Sequence, residues 1–172
     1  LGILLFIVLT SNPFLRIYPV PNLGLGLNPL LQDIGLAAHP PMLYIGYIGF
    51  SLIFSFAIIS LLKEKIDQNS IKFIKPWLSF SWAFLTLGIG LGSWWAYREL
   101  GWGGYWFWDS VENVSLMPWL CGVALIHTII ILEKTGNFKL WSCFLSILTF
   151  IFCLFGIFLV RSGILTSVHS FA

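Results

Sequence analysis

The chain has 172 residues, of which 58% are hydrophobic and 9% charged, and a net charge of +2. A soluble domain carries charge on roughly a quarter of its residues, so a free-standing soluble enzyme is excluded and lipid is the expected solvent. Length then counts as apolar spans of about 20 residues each.

Residues 1–9 read as the last half of a span, and with no initiator Met the sequence is expected to be a piece of a longer chain. There is no basic-headed signal peptide and no repeat of fixed period. Complete spans are predicted over residues 42–62, 77–96, 114–132 and 140–160, which gives an all-α, polytopic transmembrane bundle forming one membrane domain over 1–172. Before the first of these, Pro40-Pro41 should hold His39 extended and stiffen the start of the span. Gly46 and Gly49, and Gly88, Gly90 and Gly92, are expected to let helices pack closely. All six lysines fall in residues 63–75 and 133–139, which span parity puts on one side. The positive-inside rule assigns that side to the cytoplasm or matrix. Residues 10–41, the loop 97–113 and the tail from Arg161 then face outward.

The three cysteines, Cys121, Cys143 and Cys153, lie inside spans and form no Cys-x-x-Cys pair. The chain therefore cannot carry covalent c-type haem itself, nor act as a thioredoxin-like reductant. Their expected role is as small buried hydrophobes.

The outward loop places Trp94, Trp95, Trp102, Trp106 and Trp108 within fifteen residues. An aromatic belt at the membrane interface accounts for some of them. It does not account for the interleaved Gly101, Gly103 and Gly104, since glycine adds backbone entropy and nothing to a belt. Glycines would permit tight turns or close approach to a flat ligand, with indoles as apolar walls. At the loop's end Asp109 and Glu112 match a capping box for a helix starting near Ser110, which competes with a reading of Asp109 as an acid catalyst. Pro118 should kink that helix, on which Asn113, Met117, Leu120, Ala124 and His127 share one face.

His39, His127 and His169 are the only histidines. His127 lies 14 residues beyond Asn113, about 21 Å deeper at helical rise. Polar side chains at that depth tend to mark function. His39 and His169 flank the tryptophan loop on the outer side and form a candidate pair of axial ligands, since imidazole binds haem iron and indole walls suit a porphyrin. Arg16, Arg98 and Arg161 are the outer cations; pairing with haem propionates and ordinary interfacial anchoring both explain them.

The segment Trp102-Gly-Gly-Tyr-Trp-Phe-Trp-Asp-Ser-Val-Glu-Asn-Val-Ser115 resembles the WWD signature of membrane proteins that present haem for cytochrome c maturation. Its continuation to Leu120 resembles the CcmF-type cytochrome c haem lyases more than the haem-exporting CcmC or the CcsA-type synthases. His39-Pro-Pro-Met-Leu-Tyr-Ile-Gly46 and Val160-Arg-Ser-Gly-Ile-Leu-Thr-Ser-Val-His169 agree, so the resemblance covers nearly the whole chain. It implies a haem-binding loop over residues 94–115, with Trp94, Trp95, Trp102, Gly103, Gly104, Trp106, Trp108 and Asp109 around the haem and Arg98 and Arg161 near its propionates. His39 and His169 would ligate the transient outer haem. His127 would be one ligand of a second, permanent haem b in the membrane, its partner lying beyond Ala172. Ser110 stands where the family usually has Pro, and Tyr105 where Trp is frequent.

The resemblance also implies the reaction. The protein would hold haem on its outer face and present its vinyl groups to the Cys-x-x-Cys-His thiols of apocytochrome c, acting by placement with no side-chain nucleophile. The membrane haem would keep the outer iron reduced. Implied partners are apocytochrome c, a CcmE-like haem chaperone, CcmH-like thiol-handling subunits and membrane lipid, with no nucleic acid. The expected location is the bacterial inner membrane or the mitochondrial inner membrane, with the loop on the periplasmic or intermembrane-space side. A CcmC-like haem exporter and a noncatalytic scaffold are the rival readings.

Overall fold

The computed structural model describes residues 1–172 apart from 17, 21, 24, 25, 28 and 168–172. His169 lies outside the described residues. The elements are α1 (Gly2–Thr10), a 3-10 turn (Pro29–Leu31), α2 (Ile34–Leu62), α3 (Gln68–Glu99), α4 (Ser110–Thr135) and α5 (Lys139–Ser162). No strand occurs among the described residues.

Helices α2 to α5 form an up-and-down bundle in which each packs on its chain neighbour and α5 returns to α2. The turns between α2 and α3 and between α4 and α5 are short, which forces antiparallel neighbours. Gly136 closes α4 in the left-handed conformation with φ 73°, where an L side chain would be strained. At this end of the bundle Lys75 of α3 pairs with Glu133 of α4. The basic segments thus cluster together, and the tryptophan loop lies at the opposite end.

In lipid, helices gain little by exchanging tail contacts for helix contacts, so close packing must hold them. The α2–α3 seam supplies it. A Cβ added at Gly46 would sit 2.8 Å from the Leu85 backbone nitrogen, and one at Gly88 would sit 2.7 Å from that of Leu43. Several buried hydroxyls are satisfied within their own helices: Ser81 donates to the Trp77 carbonyl at 2.8 Å and Thr149 to that of Leu145 at 2.7 Å. Between α3 and α4, Trp82 and Trp119 stack with centroids 5.5 Å apart, and the Trp119 indole N–H donates to Thr86 at 2.9 Å. Cys143 and Cys153 are buried in the bundle, and all three thiols are free. Large apolar side chains such as Ile48, Leu87, Phe144 and Phe158 point outward, as a lipid-facing surface requires.

Two expectations are corrected. Among the described residues three helices, α2, α4 and α5, are long and apolar enough to cross a membrane. The span predicted over residues 77–96 lies within the 32-residue α3, which runs from one end of the bundle to the other. The Trp, Ser and Gly residues that pack it against its neighbours dilute its apolar character. Second, His39 is helical: α2 begins at Ile34 and runs through Pro40 and Pro41. Two missing backbone donors are outweighed there by the Asp33 cap and by packing of this turn on α3. Helix α4 likewise continues through Pro118, which is buried.

Candidate functional site

The N-termini of α2 and α4 and the C-termini of α3 and α5 meet at one end of the bundle. Each is fixed by local chemistry. Asp33 caps α2 by accepting from the Gly35 amide at 2.7 Å. Its other oxygen accepts from Arg98 at 2.9 Å, and the Arg98 guanidinium lies 4.4 Å from the Trp94 ring centroid. Asp109 caps α4 in a complete capping box with Glu112, as the sequence spacing predicts. Glu112 also accepts from the Phe107 amide at 2.9 Å, so one carboxylate gathers the end of the loop.

The tail after α5 returns to this cap. Ser167 donates to Asp109 at 2.6 Å, and the Ser110 hydroxyl donates to the Thr166 carbonyl at 3.2 Å. The second contact uses the side chain of the first residue of α4. Arg161, at the end of α5, approaches the Tyr44 hydroxyl at 3.4 Å. It borders an apolar crevice of about 120 Å³ between α2, α4 and α5.

The loop's aromatics do not form one continuous wall. Trp106 and Trp108 meet edge to face at 6.0 Å, Trp102 meets Phe107 at 4.6 Å, and Tyr97 stacks on Tyr105 at 4.3 Å. Gly101 and Gly103 take positive φ, and so does Trp108 at 57°. Gly104 lies under the Phe107 ring. Trp108 is 70% exposed, whereas Trp95 is fully buried. Trp95 faces the helix core because it follows Trp94 on α3, and successive helical residues point about 100° apart. Its place as an exposed indole wall is therefore corrected to a packing role, and Trp94, Trp102, Trp106 and Trp108 remain at the surface or near it.

His39 is wedged between α2 and α3. Its Nδ1–H donates to the Gly88 carbonyl at 2.6 Å. A carbonyl can only accept, so Nδ1 carries a proton, and it is Nε2 that would hold the lone pair when the ring is neutral. His39 borders a crevice of about 30 Å³ lined also by Gly92, Ser93, Trp106, Glu112 and Ser115. That volume admits a water and not a porphyrin, so a macrocycle would lie over the opening against the loop. An oriented imidazole fits one axial position of a haem iron, whose four equatorial positions the porphyrin already fills. His127 repeats the pattern on α4: its Nδ1–H donates to the Val123 carbonyl at 2.8 Å. Its side chain is exposed, as are those of Leu120 and Ala124 on the same helix face.

The sequence profile of the cytochrome c assembly proteins matches residues 1–166. This chain belongs to that family. Among curated cytochrome c assembly proteins, CycK of Bradyrhizobium diazoefficiens is 61% identical over 98% of this chain and 26% of its own length. CcmF of Haemophilus influenzae is 60% identical over 99% of this chain, and CcmF of Escherichia coli 59%. A solved structure of the cytochrome c haem lyase CcmF superposes with a TM-score of 0.70 at 39% identity, covering 77% of this chain and 22% of that one. The CcmF-type resemblance in the sequence is thereby borne out, as is the helical membrane fold. The chain spans about a quarter of the length of the curated relatives it matches.

The loop, the start of α2 and the tail as far as Ser167 lie together at this end of the bundle. Sequence reasoning did not single out Asp33, Ser167 or the Trp82–Trp119 pair. Asp33 carried a signal, being a capping residue just ahead of an apolar run. The other contacts cross between distant parts of the chain and leave no local trace.

Proposed function

We propose that this chain forms the outer haem-presenting region of a cytochrome c haem lyase, within one membrane domain whose loop spans residues 94–115. The observation that carries the reading is the convergence at one end of the bundle of an imidazole with a fixed tautomer, the tryptophan loop and the tail leading to His169. Haem is the substrate, held across the loop with His39 and His169 as axial ligands. The partners are apocytochrome c, a CcmE-like chaperone that delivers haem and CcmH-like subunits that deliver reduced thiols. The basic end faces the cytoplasm or matrix and the loop faces the opposite side.

In the reaction each substrate thiol adds across one haem vinyl group. A sulfur–carbon bond forms, the thiol proton goes to the terminal vinyl carbon, and the double bond is consumed with no net electron transfer. This chain supplies position: the loop and imidazoles fix the vinyl groups, and the apolar indoles thin the water around them. Placement of this kind replaces much of a bimolecular barrier. His127, with an imidazole from outside this chain, would hold a haem b in the membrane. When bound, that group supplies the electrons that keep the outer iron ferrous.

The test is transfer to apocytochrome c in a strain lacking its own lyase, with this chain inside its full-length protein. Formation of thioether-linked cytochrome supports the reading. Haem reaching the outer side without attachment would mark an exporter, and purification without a haem absorbance band would mark a scaffold.

A further inference from the structure

The strongest feature that the proposed reaction does not use is the surface behind His39. Gly88 and Gly92 are one turn apart on α3 and face the imidazole from the same side. Gly88 accepts the Nδ1 proton at 2.6 Å. A Cβ built on Gly92 would lie 2.5 Å from His39 Cε1 and 2.6 Å from Nδ1. Those distances are inside van der Waals contact with a rigid ring on a helix already pinned by Gly46 and Gly88. The ring cannot swing away without breaking its hydrogen bond, and the helices cannot part without opening the α2–α3 seam. Gly90, two residues away, has open space around its Cβ position, so an alanine there would leave His39 untouched.

We propose that Gly92 is a positioning residue for haem ligation: with the Gly88 carbonyl it forms a seat that fixes the plane and tautomer of His39 and directs Nε2 at the iron. Outer groups that hold a metal-binding imidazole commonly matter by about 10- to 100-fold in metal affinity. The inference rests on the assignment of His39 as a haem ligand.

The experiment uses the full-length protein purified with haem, comparing Gly92→Ala, Gly90→Ala and His39→Gly by visible absorption and electron paramagnetic resonance. Gly92→Ala should lose most of the low-spin signal of the outer haem and bind that haem about tenfold or more weakly. Added imidazole should restore the low-spin signal, because a free ring needs no seat. Gly90→Ala should match the unsubstituted protein. A low-spin signal unchanged in Gly92→Ala would overturn the proposal. If His39→Gly itself leaves the spectrum unchanged, the ligand assignment fails instead. Should Gly92→Ala not accumulate, the double variant with His39→Gly decides, because the alanine then has room. It must accumulate and take up imidazole as His39→Gly does; its failure would show that Gly92 serves helix packing alone and would overturn the seat.

Discussion

Arg98 donates to Asp33 at 2.9 Å and lies over the Trp94 indole, which ties the last turn of α3 to the cap of α2. The Arg98 side chain is 39% exposed, so the ion pair alone adds little. The cap matters more: Asp33→Ala should cost about 1–2 kcal/mol, and Asp33→Asn, which keeps an acceptor for the Gly35 amide, distinctly less. Thermal unfolding in detergent measures both, and equal losses would contradict the cap. The same pair decides the role of Arg98. A latch predicts that Arg98→Ala and Asp33→Asn weaken haem retention alike, whereas a propionate partner predicts that Arg98→Ala is the worse.

Trp95 and Trp108 should behave as opposites. Emptying the buried Trp95 site with Trp95→Ala should cost about 3–5 kcal/mol. Trp108→Ala should leave stability within about 0.5 kcal/mol while weakening haem binding. Because Trp108 has a φ of 57°, Trp108→Gly should be more stable than Trp108→Ala by about 1 kcal/mol. Denaturation and haem titration of the three variants check this; comparable stability losses at 95 and 108 would show that the loop indoles are structural.

Removing the Ser167 hydroxyl should release the tail from Asp109 without unfolding α4. Limited proteolysis should then cleave residues 163–167 of Ser167→Ala several times faster than in the unsubstituted protein. Asp109→Ala loses the helix cap as well and should cost about 1 kcal/mol in addition. Identical cleavage in Ser167→Ala would mean that other contacts hold the tail.

At the basic end, Asp67 caps α3 by accepting from the Ser70 amide at 2.7 Å. Hydrogen bonding from Ser70, with Lys65 nearby, holds its carboxyl below the usual carboxylate range. A depressed folded-state value means that its stabilisation is present above the ordinary aspartate range and is lost as pH falls through the lowered value. Asp67→Asn should therefore lower stability near neutral pH and make the acid-side decline shallower. Unfolding midpoints between pH 7 and strong acid would show it; parallel curves would contradict it.

The capping box at Asp109 was legible because all its partners lie within four residues. The glycine seam was legible as composition, though only the structure pairs Gly92 with His39. The start of α2 and both ends of α3 were not legible: hydropathy marks where lipid is faced, while these helices run on through polar turns. Pro40-Pro41 misled for a related reason, since local bias gave way to packing against α3. The burial of Trp95 depends on which neighbour α3 meets, which a run of consecutive tryptophans does not encode. The tail's return to Asp109 joins residues 58 apart, and no spacing rule reaches that far.

The central claim is that His39 and His169, far apart in the chain, share one iron on the tryptophan loop. Spectra of the haem-loaded full-length protein with His39→Gly, His169→Gly and both test it most directly. Each single variant should turn the outer haem from low-spin to high-spin while the membrane haem signal stays, and the double variant should lose the outer haem. An outer haem that remains low-spin when either imidazole is removed would contradict the claim.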